Sequence, residues 1–204
     1  IIDSASTDDS VSLAEHWGGK GSFASYHLLR MDERRGKTAA VKQALEFINK
    51  TNKSDLVLMT DADAMFELNT VPNLLKWFTD KSIGCVGATP KRIGQRIEEE
   101  GHRTLFSMVR HLESKIDSTP FLEGSCMVWR TSSLDLEALH VTSNADDAQI
   151  ATNVRIHGLR VIQDSDAHFI DHAPFERKEH SRQKVRRAQG CLLYTSPSPR
   201  DPVS

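Results

Sequence analysis

The chain has 204 residues, 38% of them hydrophobic, enough to enclose one sizeable core and in keeping with a single domain. Its 26 Lys and Arg against 28 Asp and Glu give a formal net charge of −2, so no overall basic field points to a nucleic-acid partner, and any bound anion must be met by local groups. No stretch approaches the roughly 20 apolar residues of a transmembrane helix and no signal peptide opens the chain, while Cys85, Cys126 and Cys191, without a CxxC pair, fit a reducing compartment better than a disulfide framework.

In chain order, Ile1-Ile2-Asp3 reads as the end of a buried strand whose beginning is missing. A polar turn follows, then a helix over residues 8–17 closed by Gly18 and Gly19, and a second strand from Tyr26 to Met31. Gly36 and Lys37 open a helix in which Ala40, Val41, Ala44, Leu45 and Ile48 recur at helical spacing. Leu56-Val57-Leu58-Met59 is a continuous apolar run, the pattern of a central strand buried on both faces, and it ends on Asp61-Ala62-Asp63. A helix over about 70–80 and a strand over 83–88 come next, and then Leu105, Met108, Val109, Leu112 and Ile116 form a helical stripe that reads as core or interface. Met127-Val128-Trp129 is a further strand, 146–157 a helix ended by Gly158, 159–162 a strand, and 176–190 a basic helix. Residues 191–204 break all periodicity; CLLYTSPSPRD reads as a translated sequencing adapter and is excluded from the fold. Strands alternating with helices predict an α/β sheet covered by helices on both faces and truncated at both ends, with one domain over residues 1–190.

In open α/β sheets ligands bind beyond the carboxyl ends of strands, which draws notice to Asp3, Asp61 and Asp63. Two carboxylates one residue apart can present oxygens to one hard divalent cation, which can also hold a diphosphate; the plainer role of such aspartates is to accept backbone N–H bonds in a turn. Gly36 and Lys37 at a helix start could meet an anion, or could be a capping glycine beside a solvated lysine. Asp146 and Asp147 also begin a helix, where the dipole favours acids without any catalytic duty. His168 is a weak candidate for a third metal ligand, and Trp17, Trp77 and Trp129 are read as core or surface anchors.

Taken together, IIDSASTDDS, RRGKTAAVKQAL, DLVLMTDADAMF, FLEGSCMVWR, NADDAQIATNVRIHGLRV and RQKVRRAQG resemble, in that order, the inverting glycosyltransferases of family 2, which include membrane-bound polysaccharide synthases. The resemblance covers residues 1–190. It implies a GT-A fold, a Rossmann-type mixed sheet, and transfer of a sugar from a UDP- or GDP-sugar to a glycan or lipid-linked acceptor with Mg²⁺ or Mn²⁺ as cofactor. It also implies that Asp3 contacts the nucleoside, Lys37 the base or diphosphate, Asp61 ribose and metal, and Asp63 the metal. Asp147 would be the general base, Asp146 would most simply orient its helix, and Gly124, Gln183, Arg186 and Arg187 would line the substrate site. Full-length relatives of the membrane-bound kind place this core on the cytoplasmic face of a membrane.

Departures are local. Gln183 to Arg187 keeps the Gln and Arg of the processive synthases' Q-x-x-R-W but has Arg187 in place of Trp, which argues against processive synthesis and suits an anion better. Two other functions fit parts of the pattern: a nucleotidyltransferase that makes nucleotide sugars, and a non-catalytic nucleotide- or metal-binding module. The first calls for a glycine- and basic-rich loop where this chain has SASTDDS; the second leaves Asp147, Asp61, Asp63 and Gln183 together without a purpose.

Overall fold

A computed structural model of the chain describes residues 1–51, 54–93, 97–143, 145–172 and 185. The expected basic helix over 176–190, with Gln183, Arg186 and Arg187, lies outside the described residues apart from Val185, as does the tail at 191–204.

The elements are β1 (Ile2–Asp3), α1 (Ser10–Gly18), β2 (Leu29–Arg30), α2 (Lys37–Thr51), β3 (Leu56–Thr60), β4 (Met65–Phe66), α3 (Thr70–Leu75), β5 (Ile83–Ile93), α4 (Ile97–Ile116), β6 (Cys126–Arg130), α5 (Asp146–Ile156) and β7 (Arg160–His172). They build a mixed five-stranded sheet in the order β3-β6-β5-β7-β4 and a parallel two-stranded ribbon of β1 and β2. β6 runs antiparallel to β3 and β5, β4 antiparallel to β7, and β5 parallel to β7.

The period of two along β6 sorts its side chains between two cores. Met127 and Trp129 join Leu45 of α2, Cys85 of β5, Ile150 and Val154 of α5 and Val161 of β7 on one face. Cys126 and Val128 join Leu74 of α3, Val86 and Ala88 of β5 and Ile162 and Phe169 of β7 on the other. Helices therefore cover both faces, as expected. Gly84 lets α5 come this close to β5: a Cβ there would sit 2.5 Å from Val154 Cγ1 and 2.6 Å from Leu159 Cβ.

Four expectations need correction. The apolar run Leu56–Met59 is an edge strand of the five-stranded sheet and only half-buried, because among the described residues its sole ladder partner is β6. The strand expected over 26–31 pairs only at Leu29 and Arg30. The strand expected over 159–162 continues to His172: its polar stretch is a bulge in which the Asp164 carboxylate accepts the Asp166 and Ala167 N–H groups, so that a turn-like sequence sits inside a ladder. Of the two readings of the α4 stripe, core or interface, core is excluded, since Leu105, Met108, Val109, Leu112 and Ile116 are all exposed, with Phe106 beside them. Toward the sheet α4 turns Ser107 and Ser114, which bond the Gln163 side chain and the Gln163 N–H respectively. No described helix is long and apolar enough to cross a membrane.

Candidate active site

Three elements deliver acidic and basic groups to one point. Gly36, at φ 92°, turns the chain into α2, a backbone angle that costs a residue without Cβ little, and its carbonyl accepts the Ala40 N–H. Lys37 is thereby the first residue of α2. β3 ends at Thr60, and Asp61 begins the tight turn that its carbonyl closes with the Ala64 N–H. α5 starts at Asp146.

The Lys37 ammonium lies 2.7 Å from Asp61 Oδ1 and 3.4 Å from Asp146 Oδ2, and it donates to the Gly124 carbonyl at 3.4 Å. Ser125 Oγ donates to the other Asp61 oxygen at 2.8 Å, and the Asp61 N–H reaches back to the Ser125 carbonyl. Gly124 is where the parts converge: a Cβ there would stand 3.4 Å from Lys37 Nζ and from Asp147 Oδ2, and 3.2 Å from Asp147 Cβ. Asp147 thus faces the Lys37 group, with its Oδ1 accepting the Ala148 N–H.

Burial pushes the Asp147 carboxyl up to about 6, helped by the charges of Asp146 and Glu123 and opposed by the Ala148 N–H and Lys37. Burial also raises Asp146, against the pull of Lys37. For Lys37 burial acts downward, but Asp146, Asp61 and Asp147 outweigh it and hold the ammonium above its ordinary value. The outcome is a charged ammonium among three carboxylates, two of them, Asp146 and Asp147, pushed toward the neutral form.

The expected residues divide. Lys37, Asp61, Gly124 and Asp147 are brought together. Asp63 lies on the same turn, exposed, and no described residue bonds its carboxylate. Asp3 is joined to the cluster by no hydrogen bond or ion pair among the described residues; its carboxylate accepts the Ser6 N–H at 3.2 and 3.3 Å, the turn role. His168 lies on β7, its carbonyl bonded by Thr70 Oγ1, and among the described residues no group of three or more His, Cys, Asp or Glu converges as a metal cage. Trp129 is core, 1% exposed, Trp17 is exposed, and the Trp77 indole donates to Asp164.

Asp146, at the helix start, also meets Lys37. It is 4% exposed, and Lys37 is its counter-charge. Sequence reasoning missed three further groups: Ser125, which holds Asp61, and the pair of Arg110 on α4 with Glu123 at 2.8 Å. Ser125 carried one signal, adjacency to Gly124. The Arg110 pairing spans 13 residues between elements and had none.

Residues that meet in this way, on this mixed sheet, place the chain among GT-A glycosyltransferase folds. It is similar to the mannosyltransferase PcManGT of Pyrobaculum calidifontis, solved with GDP-Man and Mn²⁺, at 27% identity and TM-score 0.78 over 94% of this chain and 51% of that one. Glucosyl-3-phosphoglycerate synthase of Mycobacterium tuberculosis, solved with Mn²⁺ and UDP-glucose, shares the fold at 19% identity and TM-score 0.62, over 94% of this chain and 66% of that one. TarS 1-349 of S. aureus, solved with UDP-GlcNAc, does so at 18% identity and TM-score 0.62, over 86% and 49%. The chain therefore spans about half the length of the mannosyltransferase and just under two thirds of the synthase. No curated protein sequence matches it. Residues 1–136 match the family described as glycosyl transferase family 2, and the chain belongs to that family.

Proposed function

We propose that this chain is the catalytic portion of a metal-dependent inverting glycosyltransferase that moves a sugar from a nucleotide-diphosphate sugar to an acceptor hydroxyl. The observation that carries the reading is the position of Asp147, a carboxylate with a raised pKa held beside a Lys37–Asp61 pair at the end of a sheet strand. GDP-Man, UDP-glucose and UDP-GlcNAc in the structural relatives support a nucleotide-sugar donor. An acceptor that is a glycan or a lipid-linked sugar, a part in polysaccharide synthesis and a membrane-bound full-length protein are the further reading that the resemblance to polysaccharide synthases supports.

The donor set suits Mg²⁺ or Mn²⁺. Asp61 already holds a cation, the Lys37 ammonium, and Asp61 and Asp63 offer hard oxygens from one turn. Such ions commonly take one or two carboxylates and complete their shell with substrate phosphates and water. When bound, the ion would supply positive charge against the departing diphosphate.

The chain's own residues do the rest. Asp147 accepts the acceptor hydroxyl proton while that oxygen bonds the anomeric carbon, and the carbon's bond to the diphosphate oxygen breaks on the opposite face, its electron pair leaving with the nucleotide. Lys37 stands where developing negative charge can be met. Gly124 leaves open the space between Lys37 and Asp147, which any side chain would narrow.

Asp147→Asn is expected to lower kcat by about 10²- to 10⁴-fold with donor affinity little changed, measured as nucleotide release with GDP-mannose, UDP-glucose and UDP-GlcNAc as donors. Near-native turnover in that variant would refute Asp147 as base.

A further inference from the structure

Asp61 has no unengaged oxygen. Lys37 Nζ is 2.7 Å from Oδ1 and Ser125 Oγ is 2.8 Å from Oδ2, whereas Asp63 two residues on is exposed and unbonded by any described residue. A divalent ion approaching the pair therefore finds Asp63 available and Asp61 already neutralised by an ammonium.

The ammonium has a second place to rest. Asp146 Oδ2, on a side chain only 6% exposed, lies 3.4 Å from Lys37 Nζ and has no hydrogen-bond partner among the described residues. Lys37 and Asp61 keep 40% and 33% of their side chains exposed, so the bond between them can be exchanged without opening the core. Lys37 can thus leave Asp61 while staying beside Asp146, near enough to meet an anion arriving beside Asp61.

Building on the proposed metal-binding role of Asp61 and Asp63, we propose that Lys37 is a placeholder cation that competes with the divalent ion for Asp61 and is transferred to the diphosphate when the donor binds. Metal and donor then enter in a coupled way. The ion alone binds weakly because it must displace a lysine, and the nucleotide relieves that competition by offering Lys37 another anion. A static ion pair that only ties α2 to β3 predicts no such coupling.

The test is a calorimetric titration of the chain with Mn²⁺ alone, then with UDP or GDP present. Lys37→Met should tighten Mn²⁺ on the order of three- to tenfold without nucleotide, the size expected for releasing a partly exposed charge pair and a like-charge repulsion. Lys37→Arg, which keeps the charge, should stay near the native value, and Lys37→Gln replaces the methionine variant should that one fail to fold. With nucleotide present the advantage of the uncharged variants should vanish. Unchanged or weaker Mn²⁺ binding in both uncharged variants, with Asp61→Asn still abolishing it, overturns the placeholder role and leaves the metal site standing. Persistence of the advantage with nucleotide overturns the transfer to diphosphate. If Asp61→Asn and Asp63→Asn both leave Mn²⁺ binding as it was, the metal site itself is wrong and the placeholder falls with it.

Discussion

Asp147 and Asp146 are adjacent in sequence and opposite in consequence. The carboxyl of Asp147 sits at about 6 rather than 3.8, so a base there loses its function as pH falls through about 6, and kcat/KM should show an acid limb at that point. The Asp146 charge is one of the causes of that rise, so Asp146→Asn should move the acid limb to lower pH while lowering turnover less than Asp147→Asn does. Stability carries the reverse sign. Between 3.8 and about 6 the folded state keeps a proton that the unfolded chain has released, so stability falls as pH rises through this window. Replacing Asp147 by Asn should therefore stabilise the fold at pH 7, by about 1–2 kcal/mol after discounting for solvent screening, and by little near pH 4. Thermal melts at the two pH values measure the difference.

At the scale of elements, α4 and α5 invert each other's appearance. α4 has the clearer apolar stripe and shows it to solvent, whereas α5 mixes polar and apolar residues and yet buries Ala148, Gln149, Ile150, Ala151, Asn153 and Val154. The polar members find partners: Gln149 bonds the His140 N–H and carbonyl, and Asn153 bonds the Asp135 N–H and carbonyl, so burial leaves neither unsatisfied. Leu112→Ser should accordingly cost under about 1 kcal/mol, a surface change, and Ile150→Ala about 2–5 kcal/mol, a cavity between helix and sheet. Denaturant unfolding of the two variants would show the contrast, and equal losses would place the α4 stripe in contact with something in solution.

For the whole molecule, the two cores share the one sheet, and each holds a cysteine. Cys85 and Cys126 are fully buried, unpaired thiols, that of Cys126 pushed up to about 12 and that of Cys85 higher still, by burial in both cases. A thiol that is neither ionised nor reachable does not react, so iodoacetamide should leave both unmodified in the native chain. Because they lie on opposite faces of the sheet, they should become reactive together on unfolding, at the midpoint of the denaturant transition, as peptide mass spectrometry can follow. Labelling of Cys126 well before Cys85 would mean that the face covered by α3 opens on its own.

The order of motifs along the chain was enough to name the family, and that resemblance singled out Lys37, Asp61, Gly124 and Asp147, three of which stand where an element with a readable hydrophobic period begins or ends. The helix start at Gly36, the strand end at Thr60 and the helix start at Asp146 needed only neighbouring residues to be recognised. What tertiary structure alone decided was every pairing across distance. It set Lys37 between Asp61 and Asp146, drew Ser125 onto Asp61, left Asp3 capping its own turn, made β3 an edge and turned the α4 stripe outward. A hydrophobic period states that a face exists, and a charge states that a partner is wanted. Which face is covered and which charge is met depend on contacts between residues tens of positions apart, and these take form only when the sheet has assembled.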